Sequence, residues 1–248
     1  MRHALSTLRF LGCAALGLVA AGCHIVQPLL PNTVKDMGGP RYRPTNVYRQ
    51  ASILPPQLRR VALLPVVTAP DGSEFLKDGT EALGPQIYSA LVKCKRFEVI
   101  PVSPEDLRQW TGRTGWRADE ALPPDIFARL NEATGCDAVM FCQLTHYAPY
   151  PPVSVGWKFL LVANPSSGRE RSSVAKGQVV WAVDEVLDAG DLGVANAARD
   201  YYLQHLLNEQ PSADATIILN SPVMFGRFTL AAMFDTLPVR TMATSEKR

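Results

Sequence analysis

The residue with the most definite chemistry in this 248-residue chain is Cys23, which directly follows the small residues Ala20, Ala21 and Gly22. A peptidase groove must hold such a segment extended, and only small side chains fit there. Downstream, groups suited to acid–base or metal chemistry are sparse. His146 and His205 stand far apart in sequence, with no zinc or Ser-His-Asp motif around either, and His24 adjoins Cys23. Neither common Gly-rich phosphate loop is present, and there is no nucleophile elbow. Asp184, Glu185, Asp188 and Asp191 cluster, but their spacing does not match a calcium loop, and a solvated strand end and turn accounts for them. The expectation is no catalytic residue, no metal, no cofactor and no small-molecule substrate. One loop is distinctive in another way. Tyr147, Pro149, Tyr150, Pro151 and Pro152 place tyrosines between prolines, which block edge pairing, so Tyr147 and Tyr150 are the expected partner contacts.

The surroundings of Cys23 give it a role. Arg2, His3 and Arg9 form a basic leader, and Phe10 to Ala21 is an apolar run of 12 residues without a charge. That length suits the apolar core of a signal peptide and is short for a membrane span, which needs roughly 20 residues. Residues 1–22 therefore read as a removable signal peptide. The ending resembles the lipobox of bacterial lipoproteins, with Ala20 where leucine is commonest. The resemblance implies that the Cys23 thiol takes a diacylglycerol and that palmitate-type chains hold the mature protein on the membrane. Each buried CH₂ contributes ~0.8 kcal/mol, so one chain binds marginally and two or three bind durably. Ordinary signal-peptidase cleavage is the alternative, which Ala20 and Gly22 also permit. His24 rather than aspartate after the cysteine fits outer-membrane sorting, facing the periplasm, by the rule of enteric bacteria.

Without residues 1–22 the chain has 23 basic and 23 acidic residues and is formally neutral. No basic excess points to nucleic acid. Three further cysteines, Cys94, Cys136 and Cys142, allow at most one disulfide. Cys136 and Cys142 would lie about 20 Å apart in an extended chain, so a bridge would have to involve Cys94, and three buried thiols fit equally well.

The remainder must position whatever the molecule presents. Residues 23–57 read as a lipidated cysteine and a Pro-rich tether, with Pro28, Pro31, Pro40, Pro44, Pro55 and Pro56 and the joint Gly38-Gly39. A domain over 58–240 and a disordered tail over 241–248 follow. Val61–Val66 is an apolar run that suits a buried strand. Leu83, Ile87 and Leu91 mark a helix from Gly79, or from Pro85, to Lys93. Strand Phe97–Val102 precedes a helix capped by Ser103 and started by Pro104, and a further helix ends at Gly135. Strict alternation gives one core face of Val153, Val155, Trp157, Phe159 and Leu161, and another of Val179, Trp181 and Val183. Two helices close the chain, the second started by Ser221-Pro222. The order β-α-β-α-α-β-β-β-α-α predicts a single mixed-sheet α/β domain with helices packed on the sheet.

With these elements placed, the body resembles a family of envelope lipoprotein domains. The family includes the curli secretion channel subunit, flagellar-associated lipoproteins, activators of penicillin-binding proteins and the N-terminal domain of the Tol-system propeller protein. The resemblance spans roughly residues 59–188 and rests on Arg60–Val66, on Arg96-Phe97-Glu98-Val99-Ile100, on Gly135-Cys136-Asp137-Ala138-Val139 and on Gly177-Gln178-Val179-Val180-Trp181. It implies a non-catalytic accessory, assembly or interaction module in the cell envelope, binding an envelope protein or itself. A periplasm-facing hydrolase with an unrecognised site is one alternative. A pore-forming secretion subunit is another, although the extra pair of alternating ~10-residue strands that a pore needs is missing. Mass spectrometry of the mature N-terminus is expected to find acylated Cys23; a free amine and thiol there would exclude the anchor.

Overall fold

The segment Val61–Leu64 is buried throughout, and its side chains alternate between two separate clusters, Val61 and Leu63 in one, Ala62 and Leu64 in the other. A strand covered on both faces needs such an unbroken apolar run. The computed structural model describes residues 42–69, 72–164, 177–209 and 214–241. In chain order its elements are β1 (Val47–Arg49), β2 (Arg60–Leu63), β3 (Val67–Thr68), α1 (Glu74–Cys94), β4 (Glu98–Pro101), α2 (Pro104–Thr111) and α3 (Ile126–Thr134). Three long strands follow, β5 (Ala138–Ala148), β6 (Ser154–Ala163) and β7 (Gln178–Asp188). Helix α4 (Leu192–Tyr201) runs on as a π-helical turn over Tyr202–Leu206, before α5 (Ile217–Asn220) and α6 (Pro222–Asp235).

The result is the mixed α/β sheet with packed helices that the pattern predicts. Its strand order is β1-β7-β6-β5-β2-β4, with β3 beside β5. β2 runs parallel to β4 and β5, while β5, β6 and β7 form an antiparallel meander that β1 extends. Helices α1, α4 and α6 supply one core cluster with the sheet; α2 and α3 supply the other. The caps are the expected ones. The Ser103 and Ser221 hydroxyls accept from the N–H groups of Asp106 and Met224, and Gly135 closes α3 at φ +64°, where a side chain would be strained.

The larger cluster is organised by aromatics on β6 and β7. Val153, Val155, Trp157, Phe159 and Leu161 are all fully buried on one face. Phe159 stacks between Trp157 and Trp181 at centroid distances of 5.4 and 6.4 Å, and Phe234 of α6 tilts onto it at 4.8 Å. Each indole also donates to a threonine, one within α6 and one at its C-cap. Trp157 Nε1 reaches Thr229 Oγ1 at 2.9 Å, and Trp181 Nε1 reaches Thr236 Oγ1 at 2.9 Å. Each threonine hydroxyl then donates back along the helix, to the carbonyls of Gly226 and Met233.

Three expectations change, and one of two open readings of the cysteines is found. Part of the expected tether is folded: β1 pairs antiparallel with β7, Leu54 and Leu58 are buried, and Ile53 bridges Val239. β7 would otherwise expose an unpaired edge, and two leucines between prolines have core to fill. Helix α1 begins at Glu74 and carries Pro85 within it. The proline leaves the Glu81 carbonyl without its helical donor, on an exposed surface open to solvent. On β7 an extra residue enters the register, since Leu161 faces Trp181 but Val162 faces Val179. This bulge turns Val180 into the core beside Trp181 and leaves Val179 half-buried. The three cysteines are free thiols: Cys136 and Cys142 lie in opposite clusters, and Cys94 is only partly buried. Residues 1–41, which hold Cys23 and the expected signal peptide and most of the expected tether, lie outside the described residues, as do 165–176 and the expected tail over 242–248.

Replacing Thr236 by valine keeps the volume but leaves the Trp181 N–H buried without an acceptor, which costs about 1–3 kcal/mol. Urea unfolding of Thr236→Val is expected to show that loss. A midpoint within error of the parent would mean the bond contributes nothing.

Candidate functional site

Two strands that leave the core together, β5 and β6, carry the Tyr147–Pro152 loop at their turn. Tyr147 is half-buried, and its ring lies against Gly79 of α1, where a Cβ would fall 2.6 Å from the ring. Burial first, then the Asp78 carboxylate, raises its phenol above the usual tyrosine range, so it stays protonated near neutrality. Tyr150, at the tip, is 72% exposed. Most of that residue is open to solvent or to a partner.

The tip is braced at its base. The His146 ring and the Ser154 hydroxyl, one on each strand, meet at 2.7 Å. Pro152 lies against Gly190, whose added Cβ would come within 3.5 Å of it, and the Ala189 N–H donates to the Val153 carbonyl at 2.9 Å. The loop is therefore held to α1 on one side and to the end of β7 on the other. Two exposed apolar residues share this end of the domain and went unnoticed in the sequence. Phe75, 51% exposed, lies one turn before Gly79 on α1; Leu192, 67% exposed, is the first residue of α4. Placing the helix start at Gly79 put Phe75 in a loop, and a single leucine after a cap carries no pattern.

His146 and Ser154 have the types of a base and a nucleophile. Among the described residues no carboxylate orients the other imidazole nitrogen, and Asp188, opposite Ser154 in register, spends Oδ1 on the Gly190 N–H. Neither residue lines any of three cavities of about 800, 330 and 190 Å³ on the domain. His205 does line the second, with Asp200, Tyr201 and Asp235, but no serine, threonine or cysteine shares it. Burial pushes the thiols of Cys94, Cys136 and Cys142 up, away from the nucleophilic thiolate.

The four clustered acids are structural. Glu185 accepts from the N–H groups of Thr45 and Asn46, clamping the start of β1, and Asp184 pairs with Lys158 at 3.3 Å. Asp191 caps α4 through the N–H groups of Gly193 and Val194. No group of metal-ligating side chains forms among the described residues. Trp157 and Phe159 are interior, so the hairpin does not offer them to a membrane. No helix among the described residues is long and apolar enough to cross one.

No protein-family model matches the chain, and no curated protein does. Lipoproteins are among the solved structures similar to it. Lipoprotein GNA1162 from Neisseria meningitidis is 18% identical over 61% of this chain and 98% of its own, at a TM-score of 0.36. The PelC dodecamer subunit from Paraburkholderia phytofirmans is 12% identical over 78% of this chain and 98% of its own, at 0.38. The LpoB C-terminal domain from Escherichia coli is 14% identical over 52% of this chain and 82% of its own, at 0.32. What the site does is read from the chain's own residues.

An alanine methyl at position 79 would strike the root of the Tyr147 ring. The helix-propensity gain of about 1 kcal/mol is smaller than the roughly 1–3 kcal/mol that overpacking costs. Gly79→Ala is expected to lower stability and to speed proteolysis at the 148–153 turn. Slower cleavage than in the parent would show that Tyr147 does not brace the loop.

Proposed function

We propose that this chain is a lipid-anchored envelope protein whose domain is a non-catalytic interaction module, and that the Tyr147–Pro152 tip contacts its partner. The observation that carries the reading is Tyr150, 72% exposed on a turn braced from two sides. A turn whose backbone is already braced has less freedom to lose on docking, so more of the buried area of the aromatic it carries counts toward affinity. Phe75 and Leu192 widen the apolar surface around it.

Location supports the same reading. The basic leader, the apolar run and the small residues before Cys23 fit export and diacylglycerol transfer. Acylation there would hold the domain at the membrane, with outer-membrane sorting, facing the periplasm, the choice that His24 favours. From Cys23 to the first described residue, Tyr42, the chain can reach at most about 65 Å when fully extended. A partner would be an envelope protein, or a second copy, within that distance.

Crosslinking in cells tests the contact. Tyr150→Ala, alone or with Tyr147→Ala, is expected to remove the partner adduct while leaving the amount of protein unchanged. Lys93→Ala, an exposed change at the other end of α1 from Gly79, serves as comparison and is expected to leave the adduct in place. Adducts that survive both tyrosine changes would exclude the tip as the contact.

A further inference from the structure

A groove of about 800 Å³ lies where β2 and β3 end, away from the tyrosine turn's own side chains. Its position follows from topology. The connection from β2 to β4 runs through α1 on one face, and the connection from β4 to β5 runs through α2 and α3 on the other. The two paths diverge at the carboxyl ends of parallel strands, which is where open α/β sheets leave a crevice for ligands. β3, α1 and the loop after α2 form its walls.

The lining is basic although the mature chain is formally neutral. Lys77 comes from α1, Arg108 from α2, and Arg113 and Arg117 from the following loop, with Glu81 the single acid on the walls among the described residues. Two of the arginines are fixed in place. Arg113 bonds Glu120 at 3.0 Å with its guanidinium 4.2 Å over the Trp116 ring, and Arg117 bonds Asp119 at 3.1 Å. Glu120 and Asp119 lie outside the lining, so they orient these cations without filling the groove. Lys77 and Arg108 have no carboxylate partner among the described residues. The loop sits tight on the sheet, since a Cβ at Gly115 would fall 2.5 Å from Val67 Cγ1. At Gly112, where φ is +83°, the space beside the backbone is open. Free cations beside pre-oriented guanidiniums in one concavity form a receptor for phosphate oxygens, which planar arginine forks match two at a time.

We infer that this groove binds a phosphate-bearing ligand through Lys77, Arg108, Arg113 and Arg117, either a lipid headgroup or a soluble phosphorylated compound. The two unpaired cations carry most of the attraction, and the paired arginines set the orientation. Binding weakens as salt screens the exposed charges.

The test uses the full chain purified in detergent, titrated with pyrophosphate by calorimetry. Saturable binding is expected, and Lys77→Ala with Arg108→Ala weakens it about tenfold or more, as loss of charge-assisted hydrogen bonds does. Both side chains are exposed, so the variant folds, and an unchanged urea midpoint checks this. Lys93→Ala, an exposed cation outside the groove, leaves binding unchanged. A parallel titration with glycerophosphoglycerol, a deacylated lipid headgroup, separates the sources. Tighter binding of that diester than of pyrophosphate identifies a lipid headgroup; the reverse identifies a soluble ligand. No saturable binding of either probe, or equal weakening by Lys93→Ala, overturns the inference.

Discussion

Two indole N–H groups, on neighbouring strands, end on two threonine hydroxyls seven residues apart on one helix. Trp157 to Thr229 and Trp181 to Thr236 fix α6 at two points, two turns apart, so the helix can neither slide nor roll on the sheet. Burying an indole N–H without an acceptor costs more than the bond itself contributes, so α6 has one register that satisfies both. Phe234 then closes on Phe159 between the tryptophans, and Gly226 lets Leu83 of α1 approach. The second layer of the domain is assembled from that lock outward.

The exposed end of the molecule inherits its rigidity from this core. β5 and β6 stay paired from Ala138–Ala163 to Ala148–Ser154 at the turn, interrupted by an irregularity between Leu144 and His146. Against α1, which α6 holds down, Tyr147 seats on Gly79. The turn that carries Tyr150 is thus braced, and a braced turn presenting apolar surface is what a contact between proteins uses efficiently. The hydrogen-bonded His146 and Ser154 belong to the same bracing. They join two strands near an open turn, and no carboxylate completes a catalytic set among the described residues.

Much of this was legible in the chain because local signals agreed with the fold. Alternation along 153–161 found the core face of β6, and Ser103, Gly135 and Ser221 marked helix ends that the structure uses. The failures have physical causes. The three-residue strand β1 is too short to show alternation and sits among prolines, and its pairing depends on an edge supplied by residues more than 130 positions later. The bulge at Val180 is a register event between strands, invisible in β7 alone. Thr229 and Thr236 look like ordinary helix residues until the tryptophans they accept from are placed. Tyr150 was found because proline on both sides is a local signal, whereas Phe75 and Leu192 join it only through tertiary packing.

The central claim is that the anchored domain acts through its exposed tip. A photoreactive side chain placed at position 150 in the full chain, with one at position 93 as control, measures this in living cells. The account predicts a discrete protein adduct from position 150 and none from position 93. Equal labelling from both positions, or no adduct from position 150 with the protein folded and present at the membrane, would contradict it.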